Sequence, residues 1–231
     1  MTPFVVCDPL ALEVAECHFT CRKPPMYVTR HSHIVDKQLV DSLWSVYERA
    51  YIRTAEATVT HEMLDRLEFA DQLADHTNRV WVVWDEDRPV GVSLISTDVN
   101  RTRWLSERYF KTHFPERYAA GQVHYVVWVT IDPSYVASAA IGTLAKQALA
   151  VEAADGALLV FDVPEINQPN DEGGAAELMI RLARSVAEAD LVPLSTQRYF
   201  AVDFSGAISA APTSVEVDER APDALNVDAR R

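Results

Sequence analysis

Hydrophobic and polar positions along the chain predict a domain that mixes helices and strands. After residue 36, large apolar residues recur at three- and four-residue intervals, which is typical of a helix with one buried side. This stripe comprises Val40, Leu43, Trp44, Tyr47 and Tyr51. Two β-rich runs, 80–84 and 90–95, lie on either side of the polar segment DEDRP. They predict a hairpin with a slightly long turn.

The same pattern assigns the remaining elements. Strands are expected at MYVTRH, at VHYVVWVTI, at the wholly apolar GALLVFDV and at the alternating QRYFAVDF. Helices are expected from near Thr60, over 141–153 and around 175–186. The order β-α-α-β-β-β-α-β-α-β predicts an α/β fold: a mixed, mostly antiparallel central sheet with helices on both faces.

Composition divides the chain into three parts. Residues 1–25 read as an irregular N-terminal segment, and residues 26–204 as one domain with an insert at 100–121. Residues 205–231 are small, polar and acidic, which predicts a disordered tail. With 48% hydrophobic residues, the chain can form a substantial core.

Charge excludes some partners. The formal net charge is −13, whereas nucleic-acid binding depends on Lys and Arg at phosphates, so we expect no nucleic-acid partner. No apolar run approaches the roughly 20 residues of a membrane span, and the N-terminus lacks the features of a secretory signal. These observations predict a cytoplasmic protein that does not enter a membrane.

The three cysteines are concentrated near the N-terminus. Cys7, Cys17 and Cys21 precede His31 and His33, a set of residue types that can bind zinc. The spacing matches no standard zinc finger, and free thiols with surface histidines explain it as well. Both interpretations stay open, and we assign no metal.

The order of elements resembles the GNAT superfamily of N-acyltransferases. The resemblance covers residues 26–204 and includes the DRPVG turn, the strand end VTIDPSY, the helix IGTLAKQALAVEAA and the buried strand ALLVFDV. It implies acetyl-CoA or another acyl-CoA as cofactor. In that family, a Gln/Arg-x-x-Gly-x-Gly/Ala loop before a helix grips the pyrophosphate through backbone amides. Donor and acceptor meet where the fourth and fifth strands part.

This chain departs from the family loop. The motif falls on 137–142, where Gly142 fits, but Ala137 replaces Gln/Arg and Ala140 replaces the first glycine. A Cβ at Ala140 would crowd a phosphate and disfavour positive φ. No Lys or Arg precedes Lys146 in the loop. The cofactor contacts implied by the resemblance are Thr130, Ile131, Ser138, Ala140, Ile141, Gly142 and Asn167.

Candidates for acid–base chemistry follow from the resemblance. His124 on the fourth strand is the best general base, because imidazole titrates near neutral pH. The family's tyrosine acid has no counterpart around 172–185, so Tyr199 or Tyr135 would replace it. Asp162 and Glu165 follow the buried fifth strand and could bind an amine, or they could cap the next helix and face water.

The insert 100–121 differs from its surroundings. Five Lys and Arg against two Glu give it a local charge of +3, and five aromatic residues are interleaved with them. Such an insert could cover an acyl chain or meet an acyl carrier protein, or it could pack its aromatic side chains on the sheet.

The sequence therefore predicts an N-acyltransferase that moves an acyl group from acyl-CoA or acyl carrier protein to a small-molecule or protein amine. The alternative is a GNAT-fold protein without catalysis that acts through a protein partner. A homodimer is compatible with either.

Overall fold

The computed structural model describes residues 26–59, 63–102, 104–136, 139–164 and 174–197, together with 167, 199 and 201. They fall into two units, one ending at Pro193 and one beginning at Leu194. The predicted N-terminal segment and acidic tail lie outside the described residues, as do Cys7, Cys17 and Cys21. The domain limits at 25 and 204 stay predictions.

The first unit contains a five-stranded sheet in the order β1-β2-β3-β4-β5. The strands are β1 (Tyr27–His31), β2 (Asn78–Asp85), β3 (Arg88–Ser96), β4 (Val123–Ile131) and β5 (Leu158–Val160). The pairs β1–β2, β2–β3 and β3–β4 are antiparallel, whereas the pair β4–β5 is parallel. This arrangement confirms the predicted mixed, mostly antiparallel GNAT-like sheet.

The strand predicted at QRYFAVDF is not found among the described residues of that segment. Gln197, Tyr199 and Ala201 lack strand conformation, and the other residues of the run lie outside the described part. Alternation by itself cannot form a strand, because the backbone groups of a strand need a hydrogen-bonding neighbour.

Six α-helices accompany the sheet among the described residues. They are α1 (Lys37–Ala57), α2 (Arg66–Ala74), α3 (Glu107–His113), α4 (Pro115–Ala119), α5 (Ala140–Ala154) and α6 (Ala175–Arg184). Asp36 caps α1 by accepting from the Leu39 amide. A capping box of Asp65 and Glu68 starts α2, so this helix begins at Arg66 rather than near Thr60.

Two hydrophobic cores lie on opposite faces of the sheet. Helices α1 and α2 cover the first face, where Leu43, Tyr47, Phe69 and Trp128 pack together with valines of β2 and β3. Helix α5 covers the second face and packs on Trp81, Val83, Val90, Ile95 and Val126. The predicted placement of helices on both faces is therefore confirmed.

Two irregularities in the sheet change which side chains share a face. In β3, Val83 pairs with Gly91 and Trp84 with Pro89, so Val90 is an extra residue. In β4, Leu94 and Ile95 of β3 pair with Trp128 and Val126, which leaves Val127 as the extra residue. Because a bulge reverses the alternation, Val126 and Trp128 point to opposite cores although they are two residues apart.

The hairpin between β2 and β3 has a tighter turn than predicted. Asp85 pairs with Arg88, so only Glu86 and Asp87 form the turn. Glu86 has a φ of 59° and is the one described non-glycine residue with a positive φ. A two-residue hairpin needs this left-handed backbone, and here Glu accepts it without glycine.

Candidate functional site

Strands β4 and β5 part after a short parallel pairing. Their register runs from Val123 with Leu158 to Tyr125 with Val160 and ends there. Beyond Tyr125, β4 continues for six residues with β3 on one side and, among the residues that the structure describes, no strand on the other. The bulge at Val127 follows directly. The sheet therefore opens at the place that the resemblance implies.

The α5 face of β4 is partly uncovered beyond this opening. Val129 lies next to Trp128, which points into the α1 core, so Val129 faces the α5 side. Val129 is 38% exposed, although its neighbours along the sheet are buried. Helix α5 packs mainly on β1, β2 and β3.

The start of α5 adjoins the loop after β4. Its N-cap residue, Ala139, has a φ of −74° and makes no side-chain capping bond. A Cβ built on Gly142 would meet no atom of the other described segments within 4 Å, so none of these segments fills the space beside it. The first amides of a helix have no carbonyl partner inside the helix and attract anions. This end of α5 can therefore donate hydrogen bonds to a phosphate.

The alanine in the predicted loop is compatible with an anion. Ala140 is fully buried, and its side chain packs into the second core with Trp81 and Leu144. Its Cβ therefore points to the sheet and away from the open space. The described loop residues have negative φ, so no glycine is required for conformation. The expected crowding and strain at Ala140 are thus absent from the described part of the loop.

The strand end before the loop is fixed by a buried carboxylate. Asp132 accepts hydrogen bonds from Arg49 at 2.7 Å, from Arg88 at 3.1 Å and from the Ser134 amide at 3.0 Å. Burial alone would raise the pKa of Asp132, but the bonds from Ser134 and Arg49 outweigh it and hold the pKa well below its usual range. The loop is thereby tied to both α1 and β3.

Tyr135 also anchors this loop. Its hydroxyl donates to Asp85 at 2.5 Å, and the Arg88 guanidinium lies 5.8 Å from its ring centroid. A tyrosine held in this way between an aspartate and an arginine stabilises the loop backbone. Its placement favours a structural role over the acid role considered from the sequence.

The other predicted cofactor contacts are placed as follows. Thr130 is buried and its hydroxyl donates to the Val92 carbonyl at 3.4 Å, so its side chain belongs to the sheet. Ile131 packs into the second core, and its Cδ1 lies where a Cβ on Gly91 would stand. Ile141 is half-buried in the first turn of α5, and Ser138 lies outside the described residues. Asn167 is exposed in a turn after β5, where its amide donates to the Pro164 carbonyl.

His124 lies in a buried ionic cluster. Its Nδ1 is 2.5 Å from Glu152 Oε2, and Arg79 donates to the other Glu152 oxygen at 2.7 Å and to Asp155. Glu152 is twelve residues along α5 from Ala140, which is about 18 Å at 1.5 Å per residue. His124 thus lies far from the helix start, and its partners favour a structural role over that of general base.

Tyr199 belongs to the second unit and is 51% exposed. Its proposed catalytic role stays a prediction.

A second set of side chains gathers at the point where the strands part, on the α1 face. The Tyr125 hydroxyl donates to Asp162 Oδ1 at 2.6 Å, which links the last paired residue of β4 to the segment after β5. Tyr51 of α1 lies close enough for Asp162 to raise the pKa of Tyr51, and for Tyr51 to raise the pKa of Tyr125. The Trp104 ring, from the insert, lies 6.3 Å from the Tyr125 ring.

Both phenols of this cluster stay neutral. Burial, together with the negative charge of Asp162, raises the pKa of Tyr125 far above its usual value. The pKa of Tyr51 rises through burial, through Tyr47 and through Asp162. Sequence reasoning considered Asp162 as an amine ligand but missed Tyr51 and Trp104. The sequence pattern assigns Tyr51 to a helix and Trp104 to the insert, but it does not specify which residues they contact.

The described part of the insert packs its aromatic side chains, and its role toward an acyl chain or a carrier protein stays a prediction. Phe110 is buried, and its ring contacts Tyr109 and Phe114. Three of its cations have local partners: Arg101 pairs with Asp75, Lys111 with Glu107, and Arg117 donates to the Gly156 carbonyl. Trp104 remains 53% exposed. The aromatic residues mostly pack, and Trp104 is the part of the insert that reaches the candidate site.

Comparison with known proteins gives structural matches alone. No family model and no curated protein matches the chain. An aminoglycoside acetyltransferase from an uncultured soil metagenomic sample aligns over 75% of this chain and 97% of its own, with 12% identity and a TM-score of 0.45. A putative acetyltransferase from Pyrococcus horikoshii aligns over 63% and 84%, with 12% identity and a TM-score of 0.48. A ribosomal-protein-alanine N-acetyltransferase from Brucella melitensis aligns over 76% and 100%, with 11% identity and a TM-score of 0.44. Because these TM-scores lie below 0.5, the functional argument rests on the site geometry.

Neither a membrane span nor a metal-binding group is found among the described residues. None of the helices there has the length and apolar character to cross a membrane. No group of three or more His, Cys, Asp or Glu side chains in the described ranges is arranged to hold a metal ion. His31 instead bonds to Thr29 at 2.8 Å, and His33 contacts His76.

Proposed function

We propose that this protein is a GNAT-class N-acyltransferase that moves an acyl group from acyl-CoA to an amine. One observation carries the proposal: the start of α5, where Ala139 makes no side-chain capping bond and no other described segment lies within 4 Å of a Cβ built on Gly142, adjoins a sheet that parts after Tyr125. An anionic donor can be held at the helix start while an extended arm lies along the edge of β4 that no described strand covers.

The donor would be bound mainly by backbone groups. Amides at the start of α5, including those of Ile141 and Gly142, would hold its phosphates, and the helix dipole adds attraction. The β4 edge beyond Tyr125 can hydrogen-bond the amide groups of the pantetheine arm. Exposed Val129 supplies an apolar contact on the α5 side. Bound acyl-CoA supplies an acyl group activated as a thioester.

The acceptor would approach from the α1 face. The opening between β4 and β5 joins the two faces, so a donor on one side can meet an acceptor on the other. Tyr125 and Asp162 lie at the apex of this opening. The raised pKa of Tyr125 keeps its phenol protonated, so it can orient an amine or pass on a proton but cannot act as the initial base.

Thermal melting tests the donor site. Acetyl-CoA should raise the melting temperature of the full chain, since ligand at 100 times Kd stabilises the native state by about 2.7 kcal/mol. Pantetheine, which lacks the phosphates, is the matched control and should give a much smaller shift. Absence of a shift with millimolar acetyl-CoA would contradict the proposal.

Chemistry is tested separately by release of free thiol in the presence of amines. Binding of acetyl-CoA without thiol release from any amine panel would indicate the alternative, a GNAT-fold protein that binds but does not catalyse. If the melting temperature rises with an acyl-loaded carrier protein but not with acetyl-CoA, the acyl donor is the carrier protein and the proposed acyl transfer still stands.

A further inference from the structure

The contact between β4 and β5 is short. Among the described residues, three residue pairs join the two strands, and the last of them is Tyr125 with Val160. So short a parallel pairing contributes few backbone hydrogen bonds, and it does not by itself fix the course of the chain beyond its last pair. Side-chain contacts after Val160 therefore decide how far the segment 161–164 stands from β4.

A side-chain hydrogen bond crosses the opening at this point. The Tyr125 hydroxyl donates to Asp162 Oδ1 at 2.6 Å, and Asp162 lies two residues beyond Val160. The bond thus joins the two chains one step beyond their last backbone pair. A hydrogen bond from a phenol to a carboxylate is shorter and stronger than one between two neutral groups.

Tyr125 is the fixed partner of this bond. It is buried in β4, and its ring lies 6.3 Å from that of Trp104. Burial raises the pKa of Tyr125 far above its usual value, so the phenol remains a donor at neutral pH. Asp162 is exposed and lies outside any helix or strand. Because the tyrosine belongs to the sheet and the aspartate to an irregular segment, the bond positions the segment around Asp162.

We infer that the hydrogen bond from Tyr125 to Asp162 sets the spacing between β4 and the segment 161–164, and that Tyr125 is thereby a positioning residue for the extended arm of the acyl donor. An arm that pairs with the edge of β4 lies about 4.8 Å from it, the distance between neighbouring strands. A misplacement of about 1 Å can lower a reaction rate roughly 100-fold. The inference rests on the proposed function for the arm, whereas the effect of the bond on 161–164 is measurable without a donor.

Hydrogen exchange measures this effect in the free protein. Tyr125→Phe removes the hydroxyl and keeps the ring, so the amides of 161–163 should exchange about ten-fold faster, the size expected for one hydrogen bond to a charged group. Tyr118→Phe is the matched control, because Tyr118 donates to Glu107 at 2.5 Å within the insert. It should leave the exchange of 161–163 unchanged. Unchanged exchange in Tyr125→Phe overturns the inference.

Two ligands separate the opening from the helix start. Coenzyme A carries the phosphates and the arm but no acyl group, and adenosine diphosphate carries a diphosphate without the arm. In calorimetry of the full chain, Tyr125→Phe should weaken coenzyme A by at least about five-fold, because binding of the arm must then order the segment. Adenosine diphosphate should weaken by less than about two-fold. Equal effects on both ligands, or no effect on coenzyme A, overturn the inference.

Variants of Asp162 test whether the two residues act through their bond. Asp162→Ala removes the acceptor and should weaken coenzyme A as Tyr125→Phe does. The double variant should bind it no more weakly than the weaker single variant, since both substitutions remove the same interaction. Asp162→Asn keeps an oxygen that can accept from the phenol and should retain most of the affinity. Additive losses, or an Asp162→Asn variant as weak as Asp162→Ala, overturn the inference.

The two hypotheses fail in different proteins. If neither coenzyme A nor adenosine diphosphate binds the wild type, the proposed transferase fails, and the positioning of a donor arm fails with it. If both ligands bind the wild type but Tyr125→Phe binds them normally, the transferase proposal stands and the positioning role of Tyr125 fails.

Discussion

The two ends of helix α5 differ in almost every physical respect. At its C-terminal end, Glu152 is buried and shares its two oxygens between His124 and Arg79, and Asp155 completes the pairing of Arg79. At its N-terminal end, no side chain caps the helix among the described residues, and the space at Gly142 is open. One end is closed by charge pairing, and the other presents backbone donors.

The C-terminal end of α5 therefore contributes mainly to stability, and its N-terminal end is suited to binding. Buried charges need complete pairing, because an unpaired charge in a core is very unfavourable. Backbone amides at an exposed helix start tolerate being solvated, so they remain ready to bind a ligand. We therefore expect substitutions at the C-terminal end to change the free energy of unfolding, and those at the N-terminal end to change binding.

The largest effect is expected for Glu152→Gln. It leaves the half-buried Arg79 and the buried His124 without their shared carboxylate, and should lower the free energy of unfolding by about 3 kcal/mol. Urea denaturation at pH 7 measures it. Asp155→Asn, whose carboxylate is more exposed, is the control and should cost under about 1 kcal/mol. A cost below that of the control would mean that the closed end does not stabilise the fold.

Asp132→Asn should lower the free energy of unfolding by about 1.5 kcal/mol at pH 7, because the charge-assisted bonds from Arg49 and Arg88 are lost. The pKa of Asp132 is depressed below its unfolded value of 3.8, so its contribution is complete above that pH and is lost as the pH falls further. Denaturation of wild type and variant should converge below pH 4. A difference that persists undiminished to pH 2 would contradict this origin.

Gly142→Asp should weaken acetyl-CoA binding by at least about ten-fold, or 1.4 kcal/mol, because it places a negative charge where the phosphates would lie. The same charge in the first turn interacts favourably with the helix dipole, so the melting temperature should stay equal or rise. Calorimetry and melting measure both quantities, and Gly142→Asn is the uncharged control. If Gly142→Asp bound acetyl-CoA as tightly as the wild type, the phosphates would have to lie away from Gly142.

The smallest effect compares two glycines at opposite ends of the helix. Gly156 has a φ of 64° and a Cβ there would lie 3.2 Å from Arg117 and Gln122, so Gly156→Ala should cost about 1 kcal/mol. Gly142→Ala has open space and a helical backbone, and should stabilise by about 0.5 kcal/mol. Thermal denaturation gives the two signs. If both substitutions changed the free energy of unfolding in the same direction, the proposed difference between the two ends of α5 would be contradicted.

The local sequence pattern was sufficient to predict most helices and strands, but it did not predict the residues at which they begin and end. The stripe from Val40 to Tyr51 identified α1, because helical periodicity acts over many residues and the buried side is read directly. The start of α2 was predicted near Thr60, although the capping box of Asp65 and Glu68 was present in the sequence. Leu67 of this helix is exposed, while Phe69 and Leu73 are buried.

The candidate site was predictable in position more than in composition. Resemblance placed it beside Gly142 and the end of β4, and this position stays a prediction; the structure shows that β4 and β5 part after Tyr125. His124 was chosen for its titration range, but the pairing with Glu152 depends on two residues 28 apart that only packing brings together. Trp104 and Tyr51 could not be assigned to the cluster around Tyr125 and Asp162 for the same reason, since only packing brings them there.

The sequence by itself determined the type and order of most elements, the acidic charge and the departure from the family loop, because these depend on composition and on residues close together in the chain. The tertiary structure decided the bulge at Val127, the direction of the Ala140 side chain, and the meeting of Tyr125 with Asp162. Each of these depends on contacts between distant segments, and a side chain's chemistry becomes a function only when packing fixes what lies opposite it.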